Sequence, residues 1–138
     1  MVKMGSKFSS EITVRPSDID VNGHVHNSIY LDYVEQARFK QMGNNYHYPM
    51  ERFWQQGLSW VVKSTQIDYL RPIRLQNRIQ VITWVESWQQ SDCIVSFEIL
   101  LLESEKIAAR GSFVFTLIQA KTGRPTPIPD NIVTAFSI

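Results

Sequence analysis

The chain has 138 residues, the size of one domain, with no room for separate cofactor and substrate lobes. Hydrophobic residues at 43% and charged residues at 20% exclude a disordered, collagenous or coiled-coil chain. Fourteen basic against thirteen acidic side chains, shared evenly between the two halves, exclude a polycation, so no nucleic-acid partner is expected.

In chain order, alternation over 8–15 places Phe8, Ser10, Ile12 and Val14 on one face and predicts a first strand. A turn-rich stretch, Pro16-Ser-Asp-Ile-Asp-Val-Asn-Gly-His24, follows. Tyr30, Tyr33, Val34 and Ala37 then recur at helical spacing. They predict one long helix over about 27–42, with Asp32, Gln36 and Lys40 as a polar row and Gly43 as its stop. Glu35 and Arg38 are spaced to pair on its surface. A short helical turn is expected over 50–56, ending at Gly57.

From there the period is two. The runs 60–69, 79–88, 93–103 and 107–118 are joined by short polar segments and predict an antiparallel meander of long strands. Gly111 inside the last run predicts a bulge or a bend. Cys93 reads as a buried small hydrophobe; as the sole cysteine it excludes an internal disulfide and a multi-cysteine metal site. A proline-stiffened arm over 122–129 leads to a last helical turn over 130–136.

The reading is an α+β chain forming a single domain over 1–138: one long central helix wrapped by a curved antiparallel sheet of about five strands. Trp84, Trp88 and the apolar strand faces ask for cover on the far side of the sheet, so a homodimer or homotetramer is expected. Four Trp, five Tyr and seven Phe are many large rings for one small core, and point the same way. Residues 1–14 carry no apolar signal core, and the purest apolar run, 99–102, is far too short to span a bilayer. A cytoplasmic location without a membrane partner is expected.

The chemistry concentrates in Asp18-Ile-Asp20-Val-Asn22-Gly23-His24-Val-His26-Asn27. Asp18, Asp20, Asn22 and Gly23 fit the start of a calcium loop, but its closing Glu position holds Ile29. His24 and His26 lack a third ligand at suitable spacing, so no metal is expected. Turn formation and helix capping account for Asp20, Asn22, Gly23 and Asn27 structurally, with Asp18 capping the turn. A catalytic reading is also open. A carboxylate, Asp20, stands just before a helix whose first free N–H groups and dipole suit a developing oxyanion. Asp20 can attack a carbonyl placed there or activate a water, with Asn22 and His24 as positioning groups. Arg71, Arg74 and Arg78 form one basic cluster, Lys121 and Arg124 another, and either suits phosphates.

Asp18-x-Asp20-x-x-Gly23-His24-Val25-x-Asn27-x-x-Tyr30, followed by Tyr33-x-Glu35-x-Ala37-Arg38, resembles the signature of the 4-hydroxybenzoyl-CoA thioesterase-like family. Tyr69-Leu-Arg71-Pro72-Ile-Arg74 and Gly123-Arg124-Pro125-x-Pro127-Ile-Pro129 resemble its later patterns, so the likeness spans nearly the whole chain. The resemblance implies the hotdog fold and hydrolysis of acyl-CoA or acyl-ACP thioesters without a cofactor. It assigns the catalytic carboxylate to Asp20 and the carbonyl-polarising amide to Asn27. Asp20, Asn22 and His24 also resemble the catalytic set of plant-type acyl-ACP thioesterases, whose further Glu is replaced here by Pro72. His26 stands where many relatives have Asn and is a candidate either to contact substrate or to cap the helix; Tyr30, Arg71, Arg74 and Arg124 are further candidate substrate contacts. The rival readings are hydratase or dehydratase chemistry on the same fold, whose His-centred helix motif is missing here, and an acyl-CoA-binding protein without catalysis.

Overall fold

Alternating apolar residues give five strands, and the computed structural model, which describes residues 5–138, arranges them in one antiparallel sheet. The stretch read for a targeting signal begins before these residues. The strands are β1 (Phe8–Ile12), β2 (Leu58–Tyr69), β3 (Ile79–Gln89), β4 (Asp92–Leu101) and β5 (Lys106–Gln119), in the spatial order β1-β3-β4-β5-β2. The helices are α1 (Asn27–Asn44), α2 (Met50–Gln55) and α3 (Asp130–Ala135). A 3-10 turn, Pro16–Asp18, precedes α1.

The inner sheet face is the apolar alternation. Ile79, Val81, Phe97, Ile99 and Phe113 point to the helix side and are buried against Tyr30, Tyr33, Val34 and Ala37 of α1. A second cluster lies beyond the end of α1, where Tyr46, Tyr48, Phe53 and Phe136 pack ring against ring. The rings are thus divided between two cores, and α2 and α3 exist to close the second one.

Four expectations need correction. The four long strands do not run as one meander: β3, β4 and β5 do, but β2 pairs with β5 at the opposite edge from β1. Its link to β3, residues 70–78, contains Pro72 and exceeds hairpin length, so it crosses the end of the sheet rather than turning back. Gly111 forms no bulge; it pairs in register with Phe97 and Ile67. A Cβ there would lie 1.9 Å from the Gln66 carbonyl oxygen, so glycine permits the close approach of β2 in a tightly curled sheet. Bulges occur instead between Val62 and Ser64, Val85 and Ser87, and Ile99 and Leu100. The second of these turns Trp88 to the inner side, against the second core, so Trp84 and Trp88 do not share a face. Trp84 stays outside, its Nε1–H donating to Glu86 and the Lys7 ammonium 4.2 Å above its ring.

Helix α1 also runs through Gly43 to Asn44. Gly43 has no positive φ and continues the helix, so the stop falls two residues later, at Asn45.

Candidate active site

The loop before α1 is built on two aspartates. Asp18 is 3% exposed and accepts hydrogen bonds from the Arg15 amide (3.0 Å) and the Tyr33 hydroxyl (2.6 Å), with the Arg15 guanidinium 3.7 Å away. Burial works against its charge, but the Tyr33 and Arg15 hydrogen bonds and the Arg15 charge prevail and hold the carboxyl below its usual value. The same burial and the Asp18 contact push the Tyr33 phenol well above its usual range. Asp18 therefore anchors the loop, as its expected capping role requires.

Two residues on, the backbone reverses. Ile19 and Val25 form an isolated antiparallel bridge, the Asp20 amide donates to the His24 carbonyl (2.8 Å), and Gly23 takes a φ of +77°. Asp20 Oδ1 accepts from the Asn22 amide (2.9 Å) and the His24 amide (3.2 Å). That oxygen holds the turn. Oδ2 has no partner among the described residues. Neither the Asn22 side chain nor the His24 ring hydrogen-bonds the Asp20 carboxylate among the described residues; they meet it through their backbone. The structural and catalytic readings of Asp20 thus fall on different oxygens of one carboxylate.

The chain then enters α1. Val25 donates to the Ile73 carbonyl (2.8 Å) and His26 to the Asp18 carbonyl (2.9 Å), which pins both residues extended. The helix therefore starts at Asn27, and the N-cap is His26 rather than Asn27. Its Nδ1 accepts from the Ser28 amide (3.2 Å) and lies 2.8 Å from the Ser28 hydroxyl. Asn27 becomes the first helical residue, and its amide finds no acceptor among the described residues. An unpaired N–H at the positive end of an 18-residue helix is a donor aimed at an incoming oxygen.

The Asn27 carbonyl accepts from the Tyr69 hydroxyl at the end of β2 (3.2 Å), and Tyr69 stands edge-on to Tyr30 at 5.0 Å. Tyr30 is 3% exposed, and its hydroxyl donates to the Arg71 carbonyl (3.3 Å) and accepts from the Ile73 amide (3.2 Å). It clamps the 71–73 segment beside the helix start. Burial, Tyr69 and the Asp20 carboxylate push its phenol up against the Ile73 hydrogen bond. Asp20 is near enough to be felt there.

The basic candidates divide. Arg71 Nη1 donates to the Ile107 carbonyl (2.7 Å), and the Arg78 guanidinium pairs with Glu11 (3.0 Å). The Arg74 side chain has no partner among the described residues; its amide donates to Asn77 Oδ1. These lie at the Ala108 end of β5. Arg124 lies at the other end, its carbonyl accepting from Gln119. Roughly 35 Å of strand separates residues 108 and 119, so one chain does not gather both clusters around one ligand.

A cavity of about 260 Å³ opens between α1 and the sheet, lined in part by Glu35, Arg38, Phe39, Trp60, Trp88 and Cys93. Sequence reasoning missed it. The expected Glu35–Arg38 pair does not form among the described residues: Arg38 turns inward, 9% exposed, onto the Tyr46 ring. Burial and the Asp32 carboxylate push the Glu35 carboxyl up. Burial drives the Cys93 thiol up to about 12 against the pull of Arg38, so it offers no thiolate. Among the described residues no three His, Cys, Asp or Glu side chains converge on a metal position.

A helix laid across a curled five-stranded sheet, with a carboxylate loop at its N-terminus, is the architecture of the hotdog fold. The Thioesterase-like superfamily model matches residues 14–136, and the chain belongs to that family. The long-chain acyl-CoA thioesterase FadM of Escherichia coli is 26% identical over 83% of this chain and 86% of its own length. The acyl-CoA thioester hydrolase YbgC of Escherichia coli is 22% identical over 94% of this chain and 95% of its own. Among solved structures, a DHNA-CoA thioesterase of Staphylococcus aureus superposes with a TM-score of 0.87 at 22% identity, over 95% of this chain and 89% of its own. The protein is a thioester hydrolase.

Proposed function

We propose that this chain hydrolyses acyl-CoA thioesters, with Asp20 as the catalytic carboxylate and the Asn27 amide as the oxyanion donor. The observation that carries this reading is an amide at the first position of α1 and an Asp20 Oδ2 in the loop just before it, both without a partner among the described residues. The thioester carbonyl oxygen accepts from Asn27 N–H, and the helix dipole favours the negative charge that builds on it. Asp20 then either attacks the carbonyl carbon, giving a mixed anhydride that water cleaves, or takes a proton from the water that attacks. In both routes the C–S bond breaks, water supplies the hydroxyl of the product acid and its other proton ends on the departing thiolate, so the products are the carboxylic acid and the free thiol, and Asp20 returns to its carboxylate. Asn22 and His24 set the loop that aims Oδ2, and His26 fixes where the helix begins.

Two further parts belong to this reading. CoA rather than acyl-ACP is the carrier favoured by the names of FadM and YbgC, and Arg71 and Arg74 stand on the helix-start side for its phosphates. A homodimer is the second part. β2 is a 12-residue edge strand with Val61, Val62 and Tyr69 exposed, an edge that calls for a partner. If two β2 edges pair antiparallel about a two-fold axis, Leu58 of one copy meets Tyr69 of the other. Arg124 of the second copy then comes to the Arg71 side of the first, which joins the two basic clusters. No described helix is long and apolar enough to cross a membrane. We place the protein in the cytoplasm, a location in keeping with an unpaired Cys93.

The test is Asp20→Asn rather than Ala, because an Asn oxygen still accepts from the Asn22 and His24 amides and keeps the turn. Turnover of acyl-CoA is expected to fall about 10²–10⁴-fold with an unchanged melting temperature. Full activity in Asp20→Asn would overturn the role of the carboxylate.

A further inference from the structure

The cavity between α1 and the sheet holds a charged group to which the hydrolytic steps above assign no role. Its walls are largely apolar, Phe39, Trp60, Trp88 and Cys93 among them, with Glu35 as the charged lining residue besides Arg38. Into this wall the sequence sets Arg38, 9% exposed. Its guanidinium lies 4.8 Å from the centre of the Tyr46 ring and 5.7 Å from that of Phe136. Its one hydrogen bond among the described residues is a long contact, 3.5 Å, from Nη1 to Thr83 Oγ1. Thr83 is already committed as a donor to Gln41. No carboxylate lies within 4 Å of Arg38 among the described residues, where the ion pairs are Arg15–Asp18, Lys63–Asp92 and Arg78–Glu11. A guanidinium carries five N–H donors and stays charged at every working pH. Taking that charge out of water without an acceptor carries a large desolvation penalty. The rings beneath it offset part of the penalty by cation–π attraction, but they accept none of its in-plane hydrogen bonds.

We propose that Arg38 is a specificity-determining residue that binds an oxygen acceptor at the far end of the acyl group. This rests on the thioesterase reading given above, with the thioester carbonyl at Asn27. Arg38 is then 11 residues along α1, about 16 Å of helix axis. A helical side chain of this length leans back toward the N-terminus and shortens the span. With C–C bonds of about 1.52 Å and angles near 111°, an extended chain advances roughly 1.25 Å per carbon. The matching substrate is therefore an acyl chain of about ten to twelve carbons, tipped with a carboxylate or a hydroxyl.

The experiment compares three thioesters of one length: dodecanoyl-CoA, 12-hydroxydodecanoyl-CoA and dodecanedioyl-CoA. The wild-type protein is expected to show at least tenfold higher kcat/KM for one or both oxygen-tipped substrates, and Arg38→Met is expected to bring that ratio to about one. A wild-type ratio of one or less, or an undiminished ratio in Arg38→Met, overturns the inference. Free dodecanedioic and dodecanoic acids, titrated against the wild-type protein by calorimetry, give a readout independent of turnover and of how the variant folds. Tighter binding of the diacid supports the Arg38 contact, and equal or weaker binding opposes it. If no thioester is hydrolysed but the diacid binds more tightly, the thioesterase reading fails while the Arg38 contact stands. If all three are hydrolysed at equal rates, this inference alone fails.

Discussion

Asp18 and Asp20 are two residues apart and chemically identical, yet the fold gives them opposite tasks. Asp18 is buried and held by Tyr33 and Arg15; Asp20 spends one oxygen on the turn, and its other oxygen has no partner among the described residues. The carboxyl of Asp18 is depressed in the folded chain, so its contribution to stability is fully present above the ordinary aspartate range, near pH 4, and is lost as pH falls through the lower folded value. Asp18→Asn keeps an acceptor but not the charge and is expected to cost about 1 kcal/mol at neutral pH. Urea midpoints of the two proteins should differ at pH 7 and converge as the pH falls through the lowered folded value; a gap that persists undiminished in strong acid would contradict the assignment. At this scale the sequence was partly legible. The turn residues and Asp18's anchoring role could be read from residue type. His26 and Asn27 were both legible as cap candidates, but the choice of His26 was not, because it depends on Ile73 and the Asp18 carbonyl pinning residues 25 and 26 from outside the local run.

The elements were legible where a period carries the information. Tyr30, Tyr33, Val34 and Ala37 marked α1, and alternation marked all four long strands to within a few residues. Neighbour choice was not legible: alternation declares a strand half-buried but does not name its partner, and so β2 was taken as the next rung of a meander. Arg38 shows the same limit. Its spacing from Glu35 suits a surface pair, but the cavity behind α1 draws the guanidinium inward. Gly111 was legible as special and misread in kind. Because a Cβ there meets the Gln66 backbone carbonyl, which no rotamer change can relieve, Gly111→Ala is expected to destabilise by about 3 kcal/mol. Chemical denaturation checks this; a change under 0.5 kcal/mol would mean that β2 yields freely at this point.

At the scale of the molecule, the abundance of aromatic rings now has a location. Phe53, Tyr48 and Phe136 close a second core beyond the end of α1, while Trp60 and Trp88 line the cavity between helix and sheet. Phe39 (49% exposed) and Tyr69 (45% exposed) remain on the open side beside β2, where a second copy is proposed to pack. The proposed pairing makes a site from two chains, and this is testable without a structure. Arg124→Ala should raise KM for acyl-CoA, and Asp20→Asn should lose turnover. Unfolded together and refolded as a mixture, the two variants should recover wild-type turnover at low substrate in some of the sites, because one site of each mixed dimer keeps both residues. Activity no greater than the sum of the separate proteins would show that Arg124 does not serve a neighbour's site.

The central claim is that the Asp20 loop and the Asn27 amide form a working thioester-hydrolysing site. The most direct measurement is free-thiol release by the wild-type protein over a panel of aliphatic and aromatic acyl-CoAs. A kcat/KM of about 10⁴ M⁻¹s⁻¹ or more is expected on at least one member of the panel. Saturable binding of acyl-CoA with no thiol released from any member would contradict it.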